Sequence, residues 1–267
     1  MITTRVFTTI LAMAILSVSS PARDSTAISP NGRLESGHVI LLHGICRTSR
    51  SMAKMQRVLT AAGYVVWNVD YPSRTALIPK LADDAIGKAI AQCRNRGAGK
   101  IDFVTHSMGG ILVRSYLARH SVPDLGRVVM LAPPNQGSEI VDKLGGLKLF
   151  KQLHGPAGNE LGTDRDSLPN QLGPAGFPVG IIAGDRSINW INSLFIIPGP
   201  DDGKVSVKRA KLIGMSDFIV IHATHTFITR NRQAIEQTIA FLRNGKFNGS
   251  VPSRRLKLVP SLFGVPA

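Results

Sequence analysis

From His38 onward, short apolar runs rich in Val and Ile alternate with amphipathic segments, and few architectures accept such an alternation. Strands joined in succession through helices run parallel, because each helix carries the chain back to the end of the sheet it left. The runs His38–His43, Tyr64–Asp70, Ile101–Thr105, Arg127–Leu131, Val179–Ala183 and Phe218–Ala223 are mostly apolar on both faces. They predict an α/β fold with a mostly parallel sheet of about six strands, covered by helices on both faces. The helical period is present between them. Met52, Met55, Leu59 and Ala62 share one face, and Ile78, Leu81/Ala82, Ala85/Ile86, Ala89/Ile90 and Cys93 share another. A last helix, Phe227 to Leu242, repeats the pattern with Ile228, Ile235, Ile239 and Leu242 and stops at Gly245.

The ends of the chain read differently. Arg5, the apolar run Val6–Val18 and the small residues Ser20-Pro21-Ala22 resemble a signal peptide over residues 1–22, too short to span a bilayer at the ~20 residues this requires. The chain is therefore expected to be exported, periplasmic or secreted, in preference to N-terminally anchored. Residues 23–37 lead into a domain spanning 38–245. Residues 246–267 carry three prolines, four basic residues and no acid, and read as an appended tail, either mobile or laid on an anionic surface. With 43% hydrophobic and 18% charged residues, the chain can bury a sizeable core. The net charge is +15, and without residues 1–22 there remain 31 basic against 17 acidic residues, or +14. This makes peripheral contact with an anionic membrane surface plausible, although a solvated basic surface explains the charge without a partner. Gly199–Val205 (GPDDGKV) is one residue short of a phosphate-binding loop and lacks its Ser/Thr. No dinucleotide fingerprint, metal-spaced Cys/His cluster or aromatic basic stripe stands out, so no cofactor, metal or nucleic-acid partner is expected.

The strand Ile101–Thr105 runs directly into His106-Ser107-Met108-Gly109-Gly110 and then into a helix of Ile111, Leu112, Val113, Tyr116 and Leu117. A Ser on such a strand–turn–helix elbow is exposed as a nucleophile at the cost of a strained backbone, and the residues two before and two after it must be small. Gly109 meets the rule and Thr105 departs from it. A helix-capping Ser would account for Ser107 alone. It would not account for Val39–Gly44, an apolar strand ending in His-Gly, whose loop can supply Ile45 N–H as one oxyanion donor while Met108 N–H supplies the other.

The pairing of VILLHG with THSMGG resembles the α/β-hydrolase superfamily and, within it, small bacterial secreted lipases and esterases; the resemblance covers residues 38–244. It implies Ser107 as nucleophile, followed in chain order by an acid and a His. In HATHTFI the preferred His is His225 over His222, since a residue leaving a strand's carboxyl end can reach the nucleophile. His38, His43, His106, His120 and His154 precede the acid and are expected to be structural or solvent-facing, with His43 lining the oxyanion loop at most. For the acid, Asp202 in the turn of PGPDDGKVSV ranks first, Asp185 in AGDRS second and Asp201 third. The resemblance thus implies carboxylic-ester hydrolysis through an acyl-enzyme, on a small-molecule or lipid ester. An amidase or acyltransferase would use the same residues, and a non-catalytic lipid- or polyanion-binding protein of the same fold is the alternative from another class.

Two excursions bear on the substrate. Residues 135–177 form a cap candidate with an apolar patch, Leu144 to Leu153, and Trp190–Ile197 reads equally as an acyl-pocket lining or an extra strand. Cys46 lies at the strands' carboxyl end while Cys93 closes a helix that descends ~25 Å from it. Both are therefore expected to be free, mostly buried thiols.

Overall fold

The computed structural model describes residues 37–187 and 197–249. Six parallel strands form one sheet: β1 His38–Leu42, β2 Val65–Val69, β3 Ile101–His106, β4 Leu125–Leu131, β5 Val179–Gly184 and β6 Asp217–Ile221. Their order is β2-β1-β3-β4-β5-β6. The chain moves outward from β1 to β2, returns past β1 to lay down β3, and then continues the other way. Such a reversal leaves a crevice at the carboxyl ends of the two central strands, here β1 and β3. Leu42 stands opposite Thr105 in register, which brings the His43-Gly44 loop level with His106-Ser107.

Alternate strand residues face opposite layers. Ile40, Leu42, Phe103, Met130 and Ile181 join the core beneath α2 (Ile78–Asn95) and α3 (Met108–Leu117). Val39, Leu41, Val104, Val129 and Ile182 join the core beneath α1 (Ala53–Ala61) and α8 (Arg232–Asn244). Every residue of the periodic face of α2, from Ile78 to Cys93, is buried as its spacing implies. On α1, Met55 and Leu59 are buried with Met52 just before them, while Ala62 is half-buried.

The last helix starts later than its apolar period suggests. Ile228–Arg230 forms one 3-10 turn, and Asn231, extended at ψ 131°, accepts from Ala234 N–H at 3.0 Å and caps a new helix beginning at Arg232. Gly245, with φ 72°, closes it in the left-handed conformation. The packed chain continues past that glycine. Phe247 is buried against Phe241 at 5.1 Å between ring centroids, and its N–H donates to Asp217 Oδ2 at 2.8 Å. The remainder of the tail and residues 1–36, including the signal-peptide reading, lie outside the described residues. Among the described residues no helix is long and apolar enough to cross a membrane.

Between β4 and β5 the chain forms α4 (Glu139–Leu144), α5 (Lys148–Asn159) and α6 (Leu168–Gln171). Helix α5 is interrupted at Gly155, whose φ of 64° and close approach to the Arg74 carbonyl only glycine tolerates. Arg114 of α3 ties this excursion to the core. Its buried guanidinium donates to the carbonyls of Asn135 (2.9 Å), Pro169 (2.8 Å) and Gly173 (2.8 Å). Burial pulls its pKa down to about 10, so it stays charged at neutral pH. A further short helix, α7 (Val207–Ala210), lies between β5 and β6. Both cysteines are free, but only Cys93 is buried. Cys46 is exposed, contrary to expectation, because the loop after β1 turns outward with Cys46 at φ 56°.

Candidate active site

Ser107 sits between β3 and α3 with φ 52° and ψ −124°, a conformation that costs a non-glycine residue ~1–3 kcal/mol. The turn is held by Ser107 N–H donating to Leu131 O at 2.9 Å. The structure gives the elbow's size rule a physical cause. A Cβ on Gly109 would stand 2.7 Å from Leu42 O and 2.9 Å from His43 O, so β1's last carbonyls occupy the space a side chain needs. Thr105 is accommodated because the residue facing it is also a glycine: its Oγ1 would lie 3.3 Å from a Cβ on Gly110. The departure on the strand side is thus absorbed on the helix side.

His225 leaves the sheet just beyond β6, four residues after Ile221, and its Nε2 lies 3.0 Å from Ser107 Oγ. Its Nδ1 lies 2.8 Å from Asp202 Oδ2. A carboxylate only accepts, so Nδ1 carries the proton and Nε2 turns a lone pair to the serine hydroxyl. Asp202 is fixed in turn, its Oδ1 accepting from Lys204 N–H (3.0 Å) and Val205 N–H (2.9 Å). All three residues are buried. The rival acids and the rival His are engaged elsewhere. Asp185 pairs with exposed His222 at 3.0 Å on the surface, and Asp201 accepts from Gly203 N–H at 2.6 Å within the turn.

The loop after β1, where the His-Gly pair is expected, is braced in addition by Tyr71 and Ser73, which no sequence motif marks. Gly44 packs its Cα side against Ser107, where an added Cβ would stand 3.0 Å from the serine Cβ. Ser73 Oγ accepts from Cys46 N–H at 3.1 Å, and Tyr71 hydroxyl donates to His43 O. His43 stacks on Tyr71 with 4.1 Å between centroids and donates from Nδ1 to Gly44 O at 2.9 Å. Burial lowers its pKa and so favours the neutral ring, while the Gly44 carbonyl at Nδ1 and the Tyr71 N–H at Nε2 place its proton on Nδ1. Among the described residues, neither Ile45 N–H nor Met108 N–H has a protein acceptor. His106 donates from Nε2 to His225 O at 2.9 Å. Burial, and then the neighbouring His225, hold its pKa well below the usual histidine range. The signal available for Tyr71, Ser73 and His106 was proximity in sequence to strand ends, which does not distinguish them from their neighbours.

A family model described as "Alpha/beta hydrolase family" matches residues 39–204, more than half of the chain. The chain belongs to the alpha/beta hydrolase family. No curated protein matches it in sequence. Among solved structures, the mature lipase BlEst2 of Bacillus licheniformis superposes with a TM-score of 0.65 at 18% identity, covering 78% of this chain and 92% of that one. The esterase EaEST of Exiguobacterium antarcticum superposes with a TM-score of 0.55 at 16% identity, covering 78% and 92%. Phospholipase PlaB of Legionella pneumophila superposes with a TM-score of 0.52 at 19% identity, covering 66% and 46%. At these identities the likeness is one of fold.

Above Ser107 the hydrolase carries a groove of about 360 Å³. Ser107 and His225 form its floor, and Ile140, Leu144, Leu147, Phe150, Leu153 and Leu161 of the β4–β5 excursion form its walls. The apolar patch Leu144 to Leu153 thus faces the groove. Leu147, Leu149 and Leu153 also remain 56%, 66% and 49% exposed, so the apolar wall continues onto the surface. Trp190–Phe195 and Ile196, the second excursion weighed as a lining, lie outside the described residues. Lys204 and Val205, two and three residues after Asp202, also line the groove.

Proposed function

We propose that the protein is a serine carboxylic-ester hydrolase acting through an acyl-enzyme, with Ser107 as nucleophile, His225 as general base and acid, and Asp202 as its orienting carboxylate. The observation that carries this reading is the unbroken chain Ser107 Oγ–His225 Nε2 (3.0 Å) and His225 Nδ1–Asp202 Oδ2 (2.8 Å) at the floor of an apolar groove. His225 takes the Ser107 proton as Oγ attacks the acyl carbonyl, Asp202 stabilises the resulting imidazolium, and the proton passes to the departing alcohol. Ile45 and Met108 N–H receive the oxyanion, since Met108 follows Ser107, Ile45 lines the same groove, and neither N–H has an acceptor among the described residues. Water then enters by the same route and releases the acid.

The groove supports a hydrophobic acyl chain, with residues 135–177 acting as the cap over it. The lipase, esterase and phospholipase named among the similar structures fit that substrate class. An N-terminal signal peptide over residues 1–22 would place the enzyme outside the cytoplasm. A fluorophosphonate probe is expected to label the wild type and not Ser107→Ala. An unlabelled, folded wild type that turns over no p-nitrophenyl ester of any chain length would overturn the reading.

A further inference from the structure

Three cations from separate parts of the sequence stand near the groove: Lys204 lines it, Arg74 is bonded to the carbonyl of its Leu153, and Arg47 is bonded to the residue after His225. Arg47 comes from the loop after β1, Arg74 from the loop after β2 and Lys204 from the turn that holds Asp202. Arg74 Nη1 and Cys46 Sγ both donate to that Leu153 carbonyl, at 3.2 and 3.1 Å. Burial raises the pKa of the Cys46 thiol and the charges of Arg74, Lys204 and Arg47 oppose that rise, so all three act on the loop beside Ser107. Arg47 and Lys204 also act on each other and on His106, and Arg74 and Lys204 both act on His154 of the groove. None forms an ion pair among the described residues. The carboxylate beside them, Asp202, is already committed to His225.

Their position relative to the hydrogen-bond chain is informative. Arg47 donates from NH2 to Thr226 Oγ1 at 3.2 Å, one residue beyond His225, and Lys204 follows Asp202 by two residues. Lys204 and His225 line the same groove, and Arg47 is tied to the residue after His225. The general acid must return its proton to the leaving oxygen, so the alcohol departs on the His225 side of Ser107. The acyl groove is walled by leucines and Phe150 from the β4–β5 excursion. The groove that holds Ser107 and His225 thus combines apolar walls with the Lys204 cation, and Arg47 is tied to the residue after His225; neither cation has an ion-pair partner among the described residues.

We propose that the substrate is an anionic amphiphile: an ester whose acyl chain fills the apolar groove and whose alcohol portion carries a phosphate, sulfate or carboxylate held by Arg47 and Lys204, with Arg74 behind them. This rests on the ester-hydrolase reading and names its substrate class. In the reaction the ester C–O bond breaks, water supplies the acid's hydroxyl, and the alcohol leaves with its anionic group intact and the proton delivered by His225.

The test compares octanoylglycerol with octanoylglycerol phosphate, each as monomers below its micellar concentration, in low and in high salt. Wild type should favour the phosphate ester in kcat/KM by about five- to tenfold, the size expected of one or two partly exposed charge pairs. The preference should shrink in high salt and vanish in Arg47→Gln/Lys204→Gln. Arg47→Glu, a change confined to an exposed side chain, should by itself turn the preference toward the neutral ester. A wild type that hydrolyses octanoylglycerol as well as or better than its phosphate, in low salt, overturns the inference and leaves the hydrolase reading standing. Absence of turnover on both, with no fluorophosphonate labelling, overturns the hydrolase reading and the inference with it.

Discussion

Replacing Asp202 by Asn separates the role of the carboxylate's charge from its role in shaping the turn. The two carboxylate oxygens do different things: Oδ1 accepts from the N–H groups of Lys204 and Val205, and Oδ2 faces His225 Nδ1 at 2.8 Å. An asparagine must keep its carbonyl oxygen toward Lys204 and Val205. The reversed amide would set NH2 against two buried donors, at ~1–3 kcal/mol for each group left unsatisfied. The amide nitrogen then faces His225 Nδ1 and donates to it. The imidazole proton is forced onto Nε2, where it points at Ser107 Oγ and the ring can no longer accept the hydroxyl proton. Loss of the base through the wrong tautomer is worth ~10⁴-fold in kcat, or about 5.4 kcal/mol of transition-state stabilisation. The turn should persist, because both backbone hydrogen bonds do, and the unfolding midpoint should stay within about 4 °C of wild type. The assay is turnover of a p-nitrophenyl ester beside a thermal melt, with Asp185→Asn as the comparison. Asp185 pairs with His222 at the surface, so its variant should retain wild-type turnover. If Asp202→Asn kept more than ~10% of wild-type kcat while Asp185→Asn lost most of it, the tautomer argument would be refuted and the acid would be Asp185.

Gly109→Ala sets a Cβ 2.7 Å from Leu42 O; denaturant unfolding should show a loss of ~1–3 kcal/mol and kinetics a ~10²-fold fall in kcat, whereas unchanged values would show that β1 yields. Leu144→Trp narrows the groove, so the optimum of a p-nitrophenyl ester series should move to shorter chains; an unmoved optimum places the acyl chain elsewhere. Asp102, at the start of β3, has its pKa raised to about 6 from the ordinary 3.8, chiefly by burial. The fold therefore favours its neutral form, a contribution present below about pH 4 and lost as pH rises through 6. Asp102→Asn keeps an acceptor for Arg127 N–H and removes the titration. In urea it should gain on wild type by ~1–3 kcal/mol between pH 4 and pH 8; a gain independent of pH would contradict the burial argument.

All six strands fall within two residues of the bounds implied by the apolar runs, and the buried faces of α1 and α2 follow the helical period. The errors lie where local pattern and tertiary partner disagree. The run through Ala223 looks like strand, but β6 ends at Ile221, where the chain turns and Ala223 N–H donates back to Ile221 O at 2.8 Å. The apolar period from Phe227 looks continuous, but the cap at Asn231 divides it. Cys46 reads as an interior thiol until the loop's positive φ turns it outward.

The elbow and the His-Gly loop are written in local stretches, because the backbone demands at each are met by adjacent residues; the order of acid and His is what the family resemblance implies. Local pattern therefore determined the sheet and the position of Ser107. It ranked Asp202 above Asp185 and Asp201 only through the family resemblance, since each is an acid in a plausible turn; the 2.8 Å contact between Asp202 Oδ2 and His225 Nδ1 exists only in the folded chain. Nor could it reveal that Thr105 is matched by Gly110, that Tyr71 and Ser73 brace the loop beside Ser107, or that Lys204 lines a groove to which Arg74 and Arg47 are bonded through Leu153 and the residue after His225. These are contacts between segments tens of residues apart. Their geometry is set by strand order and register, which exist only once the chain has closed on itself.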